Sequence, residues 1–399
     1  MTRNLLNGRP SEPHIATEVN QRRPCLNEAD RFSPERCPRL IVKVGSALIV
    51  DQDGEVREDW LRTLVQDIAE RRKQGQEIAV VSSGAIALGA RRLGLPGGGR
   101  NSLEDAQASA ARGQIALAQV WAGLLDEQDL QAAQVLVTLG DLEDRRRYLN
   151  AAATLSRLLS LDVIPIVNEN DTVATERIRF GDNDRLAARV AQAANGDGVI
   201  LLSDVDGLYD KNPTHHDDAK FIPVIRNIDD IEGMADGRSA SGMGSGGMVS
   251  KIEAARIATT VGADLAIVSG HPDHALKAFA ETGRGSVFVG EGTAGARKAW
   301  LAGGLTDEGV VIIDQGAVDA LRNGNSLLPA GAIRIEGKFQ RGDLVTIVDS
   351  KHNKIARGLV EYDYVDAARI IGRRSEDIPR ILGYAPRSAL VHRSHMAVL

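Results

Sequence analysis

Six short polar runs in this 399-residue chain combine residue types suited to binding and activating a charged substrate. Lys43 interrupts the apolar run Leu40-Ile41-Val42-Lys43-Val44 just before Gly45-Ser46. Such a lysine either snorkels from the strand end or is fixed there as a cation for phosphate oxygens. Ser82-Ser83-Gly84-Ala85 joins the apolar segment Ile78-Ala79-Val80-Val81 to a helical pattern, which aims backbone N–H groups and a helix dipole at an anion. Val81 stands where a G-x-S-x-G nucleophile elbow needs glycine, so these serines are not read as a covalent nucleophile.

Asn168-Glu169-Asn170-Asp171 follows the apolar run Val163 to Val167, and Gly181-Asp182-Asn183-Asp184 precedes another, Leu186 to Val190. Unpaired carboxylates and amides beside buried segments cost several kcal/mol, so their partner is expected to be a ligand, and their chemistry suits one bearing an ammonium group. Ser203-Asp204, with Gly207-Leu208-Tyr209, ends the apolar segment Val199 to Leu202. Ser241-Gly242-Met243-Gly244-Ser245-Gly246-Gly247-Met248 opens a helix carrying Lys251. Its glycines let the backbone approach a polyphosphate, and the lysine one turn later can neutralise developing charge. No strand precedes these glycines, so the dinucleotide fingerprint is unsupported. The eight histidines form no metal-binding set.

These runs need a frame that brings them to one place. Apolar segments of branched residues at 40–44, 78–81, 134–138, 163–167, 199–202 and 265–268 alternate with helical patterns. Among those patterns are the run from Trp60 to Arg71-Arg72-Lys73-Gly75, the helix bearing Tyr148, Leu149, Leu155 and Leu158, and those from Asp184 to Ala194 and Met248 to Thr260. The alternation predicts a mostly parallel sheet covered on both faces, with ligands beyond the carboxyl ends of the strands, where each polar run falls. After residue 303 the texture changes to short strands at Gly309–Asp314, Ile333–Glu336, Asp343–Val348 and Lys354–Val360, with a helix at about Asp363 to Ile371. A boundary near 303 and a small β-rich second domain are expected.

Composition narrows the function classes. The net charge is −6, and from 305 to 399 thirteen Lys and Arg face twelve Asp and Glu, so general attraction to nucleic acid is not expected. Aromatics make up 4%, and no apolar run reaches the roughly 18 residues of a membrane span. Cys25 and Cys37 lack metal-ligand spacing and suit a reducing cytosol. Residues 1–38 hold five of the thirteen prolines among small polar and charged residues, the composition of a disordered leader.

Taken in order, these six runs closely resemble those of the amino-acid kinase family, and the segment 304–399 resembles a PUA domain. The resemblance implies a three-layer α/β/α sandwich around a mostly parallel sheet over 39–303. It also implies phosphorylation of the γ-carboxylate of L-glutamate by ATP with Mg²⁺, the first step of proline synthesis. Carried over by position, Lys43 and Lys251 would stabilise the transferring phosphoryl group and Asp184 would organise the two lysines. Ser83, Asp171 and Asn183, with Asp182 nearby, would hold glutamate. Lys43, Ser203, Asp204, Ser245, Gly246, Gly247, Met248, Val249, Ser250 and Lys251 would contact ATP, which carries the Mg²⁺ without a protein metal site. The resemblance further implies inhibition by proline, a homo-oligomer (dimer or tetramer), hand-over to a glutamyl phosphate reductase and a cytoplasmic location. A kinase for aspartate or acetylglutamate, and an RNA-binding protein acting through the PUA domain, are the alternatives.

Overall fold

The computed structural model describes residues 27–51, 53–173, 183–231, 247–290, 308–384, 387 and 389–399. Strand β1 (Arg39–Val44) leads into the single turn α1 (Ser46–Ile49), then α2 (Glu58–Lys73), β2 (Glu77–Ser82), α3 (Ala85–Leu93) and α4 (Leu103–Asp126). Next come β3 (Gln131–Val137), α5 (Leu139–Glu143), α6 (Arg145–Ser160) and β4 (Val163–Glu169). Beyond the undescribed 174–182 lie α7 (Asn183–Ala194), β5 (Gly198–Ser203), the hairpin of β6 (Leu208–Tyr209) and β7 (Phe221–Ile222), and β8 (Val224–Ile225). Helix α8 (Met248–Thr260), β9 (Asp264–Ser269), α9 (Ala275–Thr282) and β10 (Ser286–Phe288) complete this part.

Eight strands form one sheet in the order β3-β4-β2-β1-β5-β9-β10-β8. Every pairing from β3 through β9 is parallel, and β10 runs antiparallel to β9, with β8 parallel to β10 at the edge. Strands β1, β2 and β5 are buried almost throughout, as expected of a parallel sheet covered on both faces and built from continuous branched runs. On one face α5, α6, α7 and α8 pack through Leu149, Leu155, Leu186, Val190 and Ala255; on the other α2, α4 and α9 pack through Trp60, Leu64, Trp121 and Phe279. The indole N–H of the fully buried Trp121 donates to Ser82 Oγ at 2.9 Å, so the core aromatic carries no unpaired donor.

Helix α3, which opens on the Ser83-Gly84 turn, crosses α4 at backbone contact distance. A Cβ on Gly113 would fall 1.8 Å from the Ala85 carbonyl oxygen, and one on Gly89 would fall 1.7 Å from that of Ser109. Only glycine permits this approach.

The second sheet has the order β12-β11-β13-β14-β15, built from β11 (Gly309–Ile313), β12 (Ala332–Gly337), β13 (Leu344–Val348), β14 (Lys354–Val360) and β15 (Val391–Val398). Its core gathers Val311, Val345, Ile347, Ala356 and Ile370. Leu344 and Leu359 instead join the core of the first domain beneath α6, and Asn150 of α6 accepts hydrogen bonds from Arg341 at 2.8 Å and Arg387 at 3.1 Å.

Four features depart from the expectations. Residues 27–38, assigned to the leader by composition, are ordered: Asn27 caps a 3-10 turn over Glu28–Phe32, and Phe32 and Cys37 are buried against β1 and α9. Helix α4, the longest of the described helices, had no counterpart in the periodic segments. Between β5 and α8, where no strands are expected, the short strands β6, β7 and β8 form. The second domain adds a helix over Gln315–Arg322 and the closing strand β15.

Candidate active site

The functional side chains converge because they sit at the carboxyl ends of adjacent strands. Lys43 lies near the end of β1, Ser82 ends β2 and Ser83 follows it, Asn168 lies at the end of β4, and Ser203 ends β5. Register brings them level, with Val44 facing Ser82 on one side and Leu202 on the other. Helices α4, α5 and α6 begin with side-chain caps from Ser102, Thr138 and Asp144. Helices α3 and α8, which start beside the site, are capped by Gly84 (φ +96°) and Gly247, and neither glycine can offer a side chain to the first-turn N–H groups. No side-chain cap competes with an anionic ligand at either helix start.

The ionic centre is Asp184, in the first turn of α7. Its carboxylate bridges two ammonium groups, Lys43 Nζ at 2.6 Å and Lys251 Nζ at 2.9 Å, and all three side chains are buried. Burial alone would raise the carboxyl pKa, but the charges of Lys43 and Lys251 outweigh it and bring Asp184 down to about 2. The trio carries one net positive charge, fixed at a strand end, an arrangement suited to binding phosphate oxygens. Lys43 is thus not a snorkelling lysine: its Nζ is drawn inward.

Beside this centre lies an amide pocket. Asn183 Nδ2 donates to Ser83 Oγ at 2.8 Å, Ser82 O at 3.0 Å and Asn168 Oδ1 at 3.2 Å, which fixes the amide's orientation. Asn168 Oδ1 also accepts from Glu169 N at 2.8 Å. What remains without a hydrogen bond is Asn183 Oδ1, Asp171 Oδ1 and Asn168 Nδ2, all buried. Two open acceptors and one open amide donor match the ammonium and carboxylate of an amino acid. Burial pushes the Asp171 carboxyl up to about 6, with Arg100 opposing the shift. A bound ammonium would relieve that cost.

Of the residues expected to contact nucleotide, Ser203 is buried, its Oγ 3.1 Å from Asp204 Oδ1, and Asp204 O lies 3.3 Å from His271 Nε2. Gly247, Met248, Val249 and Ser250 form the cap and first turn of α8, with Lys251 turned inward to Asp184 and Val249 exposed. Asp182, Ser245 and Gly246 lie outside the described residues. The structure therefore joins Lys43, Asp184 and Lys251 in one ionic centre and Ser83 with Asn183 in an adjoining hydrogen-bonded set, and buries Asp171 just beyond the end of β4. It adds Asn168, which belongs to the Asn168-Glu169-Asn170-Asp171 run but carries no individual role in the sequence reading. Its position as the last-but-one residue of a buried strand, side by side with amides that need partners, was the available signal.

Two protein-family models match the chain: the amino acid kinase family over residues 38–269 and the PUA domain over residues 309–382. The chain belongs to the amino acid kinase family and carries a C-terminal PUA domain. Similar proteins include several glutamate 5-kinases. That of Zymomonas mobilis is 60% identical over 96% of this chain and 96% of its own length. Those of Sphingopyxis alaskensis and Novosphingobium aromaticivorans are 65% and 56% identical, over 92% and 91% of this chain and 99% and 96% of their own.

Proposed function

We infer that this chain is an enzyme that phosphorylates the γ-carboxylate of L-glutamate with ATP, giving γ-glutamyl phosphate for proline synthesis. The observation that carries the reading is the adjacency of two complementary devices: the Lys43–Asp184–Lys251 centre and the pocket of open polar atoms on Asn168, Asp171 and Asn183. The near full-length identity to glutamate 5-kinases supports the same substrate.

A γ-carboxylate oxygen of glutamate forms a bond to the γ-phosphorus of ATP as the bond from that phosphorus to the β–γ bridging oxygen breaks. The electron pair leaves with ADP. The nucleophile is already ionised, so no general base is needed, and the protein's task is positioning and charge neutralisation. Asp171 and Asn183 Oδ1 receive the substrate ammonium, Asn168 Nδ2 meets a carboxylate, and Ser83 holds Asn183 in orientation. Lys43 and Lys251 neutralise the phosphoryl oxygens, and Asp184 keeps both ammonium groups in place. The N–H groups of α8's first turn and Ser203-Asp204 take the nucleotide. These donors fit phosphate oxygens; among the described residues no three His, Cys, Asp or Glu side chains converge on a cation. Mg²⁺ would arrive with the nucleotide and would supply charge neutralisation at its phosphates.

Proline, with its secondary ammonium and carboxylate, fits the same open atoms and would compete with glutamate around Asp171 and Asn183. The acyl phosphate product is reactive, which favours direct hand-over to a glutamyl phosphate reductase. A homo-oligomer and a cytoplasmic location complete the reading; among the described residues no helix is long and apolar enough to cross a membrane.

Incubation with ATP, Mg²⁺ and hydroxylamine, plus glutamate, aspartate or acetylglutamate, tests it. Glutamyl hydroxamate is expected to exceed the other two products, and proline is expected to lower its yield. Preference for acetylglutamate would overturn the substrate, because Asp171 would then face no ammonium.

A further inference from the structure

A second cluster of buried charge lies where the two domains meet. Glu361, directly after β14, is buried, with His395 Nδ1 at 3.4 Å, Arg387 Nε at 3.5 Å and Arg341 Nη2 at 3.7 Å. These separations exceed those of charge-assisted hydrogen bonds, about 2.7–2.9 Å. Glu361 Oε2, His395 Nδ1, and Arg341 Nε and Nη2 are left without hydrogen-bond partners, although Glu361 and His395 are both 7% exposed. The cluster borders a cavity of about 610 Å³ between the carboxyl ends of α6 and α7 and strand β15, lined by Ser156, Arg157, Glu361, Arg387, His392 and His395 among others.

Charge counting favours one class of occupant. Arg157, Arg341 and Arg387 contribute three positive charges. Against them stand the Glu361 carboxylate and the carbonyl ends of two helices, about half a charge each. An excess of about one positive charge remains with both histidines neutral. The Gln192 carbonyl at the end of α7 already accepts from the Tyr148 hydroxyl at 3.3 Å, and the Ala194 carbonyl accepts from Arg39. Among the described residues, Glu361 is the sole carboxylate in the cavity wall; the other polar side chains there are serines, histidines, arginines and Asn195. Burial is the main cause that holds His392 below its usual pKa, with Glu361 opposing the shift.

We propose that this interdomain cavity binds a small oxyanion, phosphate or carboxylate, which pairs with Arg387, Arg157 and the histidines and bridges the two domains. A cavity of this size suits a small solute rather than a polymer strand.

Thermal unfolding of the full chain in inorganic phosphate, in malonate and in chloride at matched ionic strength tests this, with Arg387→Gln, Arg157→Gln and Lys251→Ala in parallel. Phosphate or malonate at tenfold excess over its dissociation constant is expected to raise Tm by several degrees above chloride. The more effective of the two identifies the ligand type. Lys251→Ala is expected to keep the rise, and Arg387→Gln and Arg157→Gln to lose at least half of it. No rise with either anion, or a rise kept by both arginine variants and lost in Lys251→Ala, overturns the proposal; the latter places the anion at the kinase centre instead. If one arginine variant fails to fold, the other decides.

Discussion

Two buried carboxylates in this chain are each surrounded by cationic side chains, and they differ in closeness of contact. Asp184 holds Lys43 and Lys251 at 2.6 and 2.9 Å, whereas Glu361 stands 3.4 to 3.7 Å from His395, Arg387 and Arg341. The first centre is compact because strands β1 and β5 and helices α7 and α8 are parts of one packed core, which fixes three side chains with little freedom. The second is assembled from loop and strand residues of one small domain against a helix of another. Close contact suits a group that must be organised before substrate arrives, since its reorganisation is then not part of the reaction barrier. Looser contact leaves hydrogen-bonding capacity unspent.

The largest effect that would break this contrast is kinetic. Replacing Lys43 or Lys251 by Ala is expected to lower kcat by about 10²–10⁴-fold, and the double variant is expected to lose little more, because the trio acts as a unit. Fully multiplicative losses in hydroxamate assays would show two independent lysines. Next comes the substrate pocket. Asp171→Asn is expected to raise the KM for glutamate by about 10–100-fold, measured at saturating ATP, with kcat affected less.

The same residue carries a pH signature. The folded-state pKa of Asp171 lies at about 6, above the ordinary 3.8. The folded chain therefore holds this proton more tightly than the unfolded chain, and stability falls as pH rises from 3.8 to about 6. Above that range Asp171→Asn is expected to stabilise the free protein, by as much as ~3 kcal/mol, while weakening glutamate binding. In kinetics, KM for glutamate is expected to rise as pH falls below about 6, because a protonated Asp171 cannot accept the substrate's ammonium charge. A flat KM profile from pH 5 to 8 would remove Asp171 from the ammonium site.

A smaller difference sharpens the comparison through stability. Asp184→Asn strands two buried ammonium groups and is expected to cost about 3–5 kcal/mol, whereas Glu361→Gln, releasing looser contacts, is expected to cost about 1–2 kcal/mol. Equal losses in denaturant unfolding would mean that the spacing carries no energetic meaning. At the α3–α4 crossing, Gly113→Ala is expected to cost about 1–3 kcal/mol and to disturb the Ser83 turn.

Much of this was legible before any coordinates. Continuous branched apolar runs and period-3.6 patterns located most strands and helices of the first domain, and Lys43 announced itself by breaking an apolar strand. Helix α4 was overlooked because its buried face is written in small residues, Ala106, Ser109, Ala110 and Gly113, which a search for large apolar side chains does not register. The cap signal, Ser102 with Asp105 three residues on, was present. Strand β15 was hidden by its four consecutive polar residues, His392 to His395, and the order of residues 27–38 rests on Phe32 and Cys37 filling space beside β1. The pairing of Asp184 with both lysines rested on a family resemblance, because spacings of 141 and 67 residues carry no geometry until the sheet order is known. Asn168 escaped a role for a related reason: its partners, Asn183 and the Ser82-Ser83 turn, are distant in the chain.

The central claim is that Asp184 holds two lysines ready for phosphoryl transfer. Glutamyl hydroxamate formation by Asp184→Asn, with glutamate and ATP both saturating and folding checked by circular dichroism, tests it most directly. Turnover is expected to fall by at least about 100-fold, the scale for losing one preorganised electrostatic element. A folded Asp184→Asn protein turning over within a few-fold of the parent would contradict it.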